Sequence, residues 1–428
     1  MLQARALRGL MRLSRPAPMM FSSKAQNLEV QRQKLREAPF DEVLYGNDVG
    51  IRNVTFNRPK VLNALNLPMI RSLTPKIQKF EKNPAINAII FEGAGEKAFC
   101  AGGDIRFLYD NGKNPETRHL ALDFFREEYR LNYMLATMST PVISIVNGIT
   151  MGGGVGLSMH GKFVVATEKT TFAMPETAIG FFPDVGGSYI LPRIGRKIAQ
   201  QDDYRPLTDD SISGQGLGTF LALTGERLKG AEVFGVALAT HFVESKEIAD
   251  LRNHLVEFDF EPELRQSVRD DIIDEAIGDL ETEVEETNEE FLDTVESVFG
   301  AHNKDDTVEG ILERLTALNT DWSRKVHDKL LKLSPLSLKV TLRQMREGAT
   351  KNAAECFQME FRMATRMMEN PDFFEGVRSV IIDKDNAPNW LHASVKDVTN
   401  EEVDRFFAPL PEDEELVLYQ TSAVSDEE

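Results

Sequence analysis

NGITMGGGVG, residues 147–156, is a glycine-rich turn placed between a strand pattern, TPVISIVNG (140–148), and a pattern able to begin a helix, GLSMHG (156–161). Glycine lets a backbone approach a ligand closely, and N–H groups at a helix N-terminus point outward toward negative charge. The turn therefore has the make-up of a site where backbone donors meet a developing oxyanion. Commoner readings fail on spacing. Neither Gly152 nor Gly154 begins a complete G-x-G-x-x-G, and no Lys-Ser/Thr pair follows as a phosphate loop requires. Ser158 sits one residue out of register for a G-x-S-x-G nucleophile elbow. His160, on the helix that follows, reads as a packing histidine, and Cys100 as a small core residue.

Outward from this turn, β-rich runs alternate with helical spacing. The runs are GIRNVTFN (50–57), NAIIFEGAG (87–95), TPVISIVNG and KFVVATEKTTFAM (162–174). Between them lie LPMIRSLTPKIQKFEKN (67–83) and TRHLALDFFREEYRLNYMLATM (117–138), with apolar residues at helical intervals. Repeated strand-then-helix units predict a layered α/β fold. The polar stretch RKIAQQDDYRPLTDDSISGQG (196–216) has no periodicity and reads as a surface loop inserted in a core of residues 40–260. Residues 261–395 read as a helical C-terminal region: an acidic part (271–299) with a solvated face, then two amphipathic helices in 334–348 and 354–370 whose Met stripes predict core or subunit packing. An acidic tail is expected over 396–428.

Composition excludes several classes. The 428 residues are 42% apolar and 27% charged, with no apolar run approaching the ~20 residues of a membrane helix. A net charge of −19 argues against direct contact with nucleic acid, which needs a concentrated basic surface. Two cysteines are too few for a disulfide framework or a four-thiolate metal site, and no His/Cys/Asp cluster has metal spacing, so no metal is expected. Residues 1–28 carry Arg5, Arg8, Arg12, Arg15 and Lys24 and no acid, with Leu2, Leu7, Leu10 and Leu13 among the arginines. An Arg-rich, acid-free amphipathic leader is the signature of a mitochondrial transit peptide and predicts a matrix location.

FNRPKVLNAL (56–65), KAFCAGGDI (97–105), NGITMGGGVGLSMHG (147–161), FAMPETAIGFFPDVGGSYILPR (172–193) and LTGERLKG (223–230) occur in an order that resembles the crotonase, or enoyl-CoA hydratase and isomerase, superfamily. Within it the chain looks most like the 3-hydroxyisobutyryl-CoA hydrolases, the thioesterases of valine degradation, on MPETAIGFFPDVGGSY (174–189), FREEY (125–129) and DFFEGVRSVIIDKDNAPNW (372–390). The resemblance implies a spiral of ββα units and a thioester carbonyl held by the N–H groups of Gly103 and Gly153, each such donor being worth ~2.7–4 kcal/mol. It implies that Lys60, Val61 and Leu62 neighbour CoA and that Glu128 and Asp104 bind substrate. It implies no cofactor, coenzyme A being part of the substrate. It also implies a homo-oligomer formed through C-terminal helices.

The carboxylates narrow the chemistry. Relatives that hydrate enoyl-CoA use two glutamates; this chain has Gly156 at the first position and keeps Glu176 at the second, while Asp184 stands where hydratases commonly have glycine. In the resembling hydrolases, positions 176 and 184 are the catalytic carboxylates, and two carboxyls on one site can hold different protonation states. Two routes are open: Glu176 attacks the thioester to form an anhydride, the expected one, or a carboxylate activates water. Rival functions are hydration or isomerisation of another acyl-CoA, and a structural place in the mitochondrial small ribosomal subunit, which co-sedimentation with those ribosomes tests.

Overall fold

In the computed structural model the described residues are 42–48, 50–194, 215–257, 265–284 and 288–418, all within one unit, Phe40–Glu428. The expected leader, most of the 196–216 insertion and the end of the acidic tail lie outside the described residues. The β-rich runs build two sheets. In the larger sheet the order is β1 (Val43–Asn47), β2 (Ile51–Phe56), β3 (Ala88–Gly93), β5 (Val142–Val146), β7 (Phe163–Ala166) and β10 (His241–Phe242), parallel throughout except for the β1–β2 pair. In the smaller one the order is β4 (Ala98–Cys100), β6 (Ile149–Met151), β8 (Thr171–Ala173) and β9 (Leu228–Lys229), with β9 antiparallel to β8.

Each repeat gives one strand to each sheet. The chain runs β3 to β4 to the helix Ile105–Gly112, then β5 to β6 to the helix Gly153–Ser158, then β7 to β8 to the turn Glu176–Ile179. Because β3, β5 and β7 are parallel neighbours and so are β4, β6 and β8, the chain advances by one strand spacing per unit, which is the spiral of ββα units. The central strands read as continuous apolar runs because both of their faces are covered. Ile89 and Phe91 face one core, whereas Ala88 and Ile90 face another, closed by Ile248, Leu251 and Leu255 and by Ile273, Ala276 and Ile277. The acidic helix Gln266–Gly278 thus buries an apolar stripe on the sheet, leaves Asp271, Asp274 and Glu275 in water, and pairs its one buried carboxylate, Asp270, with Lys162 at 2.5 Å.

Three parallel strands with matched ends also explain the site. The segments after β4, β6 and β8 carry Gly103, Gly153 and Glu176, so all three emerge from the same edge of the smaller sheet. Ligands in α/β folds commonly lie off the carboxyl ends of strands.

The helices Arg118–Thr137, Pro335–Gly348 and Ala353–Met367 pack behind this edge, with Met345, Met359, Met363 and Met367 in the core. Two sequence expectations shift at their edges. Gln215 and Gly216 are buried, and Gly216 begins the helix Gly216–Thr224 with its N–H donating to Glu296 at 2.7 Å. The near part of the expected acidic tail is folded: the helix Asn400–Phe407 buries Val403, Phe406 and Phe407, and Arg126 holds the carbonyls of Glu414 and Glu415 at 2.9 Å each. The helix escaped the sequence reading because its acids, read as a tail, sit in a capping box (Thr399, Glu402) and at the helix N-terminus, where negative charge is favourable.

Candidate active site

The two glycine turns converge. A methyl group in place of a hydrogen on Gly153 would lie 3.1 Å from the Gly103 nitrogen and 2.6 Å from Glu128 Oε1, so position 153 must stay bare for backbone and carboxyl to meet. Gly152 has φ +46, a conformation that side chains rarely adopt, and turns the chain into the short helix Gly153–Ser158. That helix therefore begins at the glycine run and not at GLSMHG. Neither the Gly103 nor the Gly153 N–H has an acceptor among the described residues. Two unpaired, inward donors side by side can receive one carbonyl oxygen.

Three buried carboxyl groups surround this point. Glu176 begins the 3-10 turn Glu176–Ile179, and its Oε1 lies 3.0 Å from where a Gly152 side chain would start. Glu128 comes from the helix Arg118–Thr137, and Asp184 from the loop after Phe181-Phe182-Pro183. Their exposures are 2% for Glu128, 7% for Glu176 and 5% for Asp184. Burial, then the neighbouring Asp184 charge, holds Glu128 and Glu176 well above the usual carboxylate range. Asp184 is pushed up by burial to about 7, opposed by the Tyr129 hydroxyl, which donates to Oδ2 at 2.8 Å. Glu176 Oε2 and Glu128 Oε1 have no partner among the described residues. Burial thus favours the neutral forms of Glu128 and Glu176, while the Tyr129 hydrogen bond favours the ionised form of Asp184.

Tyr129 was not singled out in the sequence, although it ends FREEY beside Glu128. Tyr129→Phe is expected to lower kcat about tenfold at pH 7 by removing a hydrogen bond to a charged acceptor, and to move the acidic limb of the rate profile upward. A pH–rate profile with an unmoved limb contradicts that role.

The Asp184 loop is braced by distant side chains. His160 Nε2 donates to the Val185 carbonyl at 2.8 Å, and burial lowers its pKa to about 4, so it is a neutral packing histidine as the sequence suggested. Gln344 Nε2 donates to the Pro183 carbonyl at 2.6 Å. Glu360 accepts from the Gly186 and Ser188 backbones. Gly156 packs against the same loop: a methyl there would lie 2.6 Å from Val185 Cβ and 2.9 Å from Asn132 Nδ2. No glutamate fits at that position. Gly156→Glu is expected to cost about 1–3 kcal/mol or more by overpacking and to yield no crotonyl-CoA hydration, read by thermal unfolding and the hydration assay.

The remaining expected residues lie beside the first glycine turn. Lys60, Val61 and Leu62 occupy the turn after Arg58, with Leu62 at φ 55, and the Leu62 carbonyl accepts from Ala101 at 3.0 Å. Lys60 and Val61 are exposed. Asp104 is engaged structurally: Oδ1 caps the helix Ile105–Gly112 through the Phe107 N–H, and Oδ2 pairs with Arg58 at 3.2 Å. Among the described residues no group of His, Cys, Asp and Glu could hold a metal ion, and no helix is long and apolar enough to cross a membrane.

The enoyl-CoA hydratase/isomerase family matches residues 51–407. The chain is 43% identical to the mitochondrial 3-hydroxyisobutyryl-CoA hydrolase of Gallus gallus, over 86% of this chain and 89% of that one, and 43% identical to that of Danio rerio, over 96% and 97%. Among solved structures it is similar to an enoyl-CoA hydratase from Rhodobacter sphaeroides, with a TM-score of 0.74 and 30% identity, covering 88% of this chain and 100% of that one. With the glycine turns, the paired strand ends and this similarity over nearly the whole length, the chain belongs to the enoyl-CoA hydratase/isomerase family, in the branch of the 3-hydroxyisobutyryl-CoA hydrolases.

Proposed function

We propose that this protein hydrolyses 3-hydroxyisobutyryl-CoA to 3-hydroxyisobutyrate and CoA in the mitochondrial matrix, a step of valine catabolism, by means of Glu176 and Asp184. The observation that carries the reading is the pair of buried carboxyls beside two unpaired backbone donors, together with a position 156 too tight for a hydratase glutamate. The thioester carbonyl oxygen sits between the Gly103 and Gly153 N–H groups, where negative charge grows. Lys60, Val61 and Leu62 flank the CoA moiety. Asp104 supports that end of the substrate through its helix cap, and the neutral Glu128 meets the acyl end. No cofactor takes part, and no nucleic acid.

The charge distribution favours water as the nucleophile over attack by Glu176. Asp184, ionised with the help of Tyr129, takes a proton from water as the water oxygen bonds to the carbonyl carbon. The tetrahedral oxyanion then collapses, the C–S bond breaks, and the neutral Glu176 passes its proton to the departing thiolate. Because the base must be ionised, turnover rises as pH is raised through about 7. Single-turnover hydrolysis in ¹⁸O water tests the anhydride: label in the Glu176 carboxyl requires it, whereas label in the acid product alone shows only that water attacked the acyl carbon. A screen over short branched and hydroxylated acyl-CoAs, run beside crotonyl-CoA hydration, tests the function itself. Hydration exceeding hydrolysis would overturn it.

A further inference from the structure

Glu360 stands alone as a charged residue inside an apolar stripe. On the helix Ala353–Met367 it is flanked by Phe357, Met359, Phe361 and Met363, and it is fully buried. A packing role at that place is met by leucine or methionine, without the desolvation that a carboxyl suffers. Its two oxygens instead meet three donors from one short segment. Oε2 accepts from the Gly186 N–H at 2.7 Å, and Oε1 accepts from the Ser188 N–H at 2.9 Å and the Ser188 hydroxyl at 2.6 Å. These residues follow Asp184 by two and four positions, and the Gly187 N–H closes the turn onto the Asp184 carbonyl at 2.8 Å.

The loop leaves little freedom for any other anchor. Val185 has φ 54 and Gly186 φ 86, and a methyl on Gly186 would lie 2.4 Å from the His160 ring. Both backbone N–H groups donate to the helix Ala353–Met367, where among the described residues Glu360 is their acceptor. We infer that Glu360 is a positioning residue for the Asp184 carboxyl, acting through Gly186 and Ser188 to fix where that carboxyl stands relative to Glu176 and the glycine turns.

This inference rests on the reading of Asp184 as the base, so the test includes Asp184→Asn. Glu360→Gln keeps the shape but turns an amide NH₂ toward a backbone N–H, leaving one donor without an acceptor. The expected result is a fall in kcat of about 10–100-fold with KM within about twofold, since a displacement near 1 Å can cost ~10²-fold in rate. Ser188→Ala, which removes one of the three donors, is expected to show the same split more weakly. The Glu360→Gln/Asp184→Asn double variant should be no slower than Asp184→Asn alone, a non-additivity that general loss of structure does not produce. Parental kcat in folded Glu360→Gln, or a double variant slowed by the product of the two effects, overturns the inference. Should Glu360→Gln fail to fold, Ser188→Ala decides through the same kcat-against-KM split, and parental kcat there overturns it. Parental turnover in Asp184→Asn would remove the catalytic reading itself and is a separate failure.

Discussion

Glu176→Gln is expected to lower kcat for 3-hydroxyisobutyryl-CoA hydrolysis by about 10²–10⁴-fold, the range that a positioned general acid contributes. Burial and the Asp184 charge raise the Glu176 carboxyl well above the usual range and so favour its neutral form, which glutamine matches in size and charge. Oε2 has no partner among the described residues, so the new NH₂ breaks no hydrogen bond. What disappears is a transferable proton. The thioester still reaches the Gly103 and Gly153 donors, and the CoA moiety still lies along the Lys60 turn, so KM should move by no more than about threefold. Steady-state kinetics with product-CoA binding by calorimetry gives both quantities. Turnover near the parental rate would remove Glu176 from the chemistry, and a loss confined to KM would make it a binding group.

Much of this was legible because the informative residues are local. The glycine run and the strand before it fix a turn and a helix start within ten residues, and KAFCAGGDI repeats the arrangement. The largely apolar runs AIIF, VISIV and FVVA mark strand segments covered on both faces. The three-residue strands β4 and β6 were not legible, since a run that short has no period to detect, and β8 showed only as the end of KFVVATEKTTFAM; all three exist because parallel neighbours hold them. Pairing of Asp184 with Tyr129 and of its loop with Glu360 was also hidden, the partners lying 55 and more than 170 positions apart. A signal was present in FQMEFRM, one carboxylate within a methionine and phenylalanine stripe. Read as helix packing alone, the stripe concealed it. The reverse happened at Asp104, whose motif suggested substrate contact while both of its oxygens serve the fold.

Asp184→Asn is expected to be both nearly inactive and, above neutral pH, more stable than the parent. The activity loss follows from removing the base, and should reach about 10³-fold with the acidic limb near pH 7 gone from the rate profile. The stability gain follows from where the proton sits. In the unfolded chain the carboxyl has its ordinary pKa of 3.8, whereas burial raises it to about 7 in the folded protein. Below the unfolded value both states hold the proton and Asp184 has no pH-dependent effect. Between the two values the folded state must keep a proton that the unfolded state releases, so stability falls as pH rises, and above about 7 the full cost is present. Asparagine removes that cost, of order a few kcal/mol at most, while its amide oxygen still accepts from Tyr129. The two proteins should therefore unfold at nearly equal temperatures near pH 4, and the variant should lead by a few °C near pH 8. A variant lead that grows toward acid would mean that the carboxyl is stabilised as an anion, and water activation would then need another base. A lead in the expected direction would identify Asp184 as a group the fold tolerates at a loss of stability because the reaction uses it.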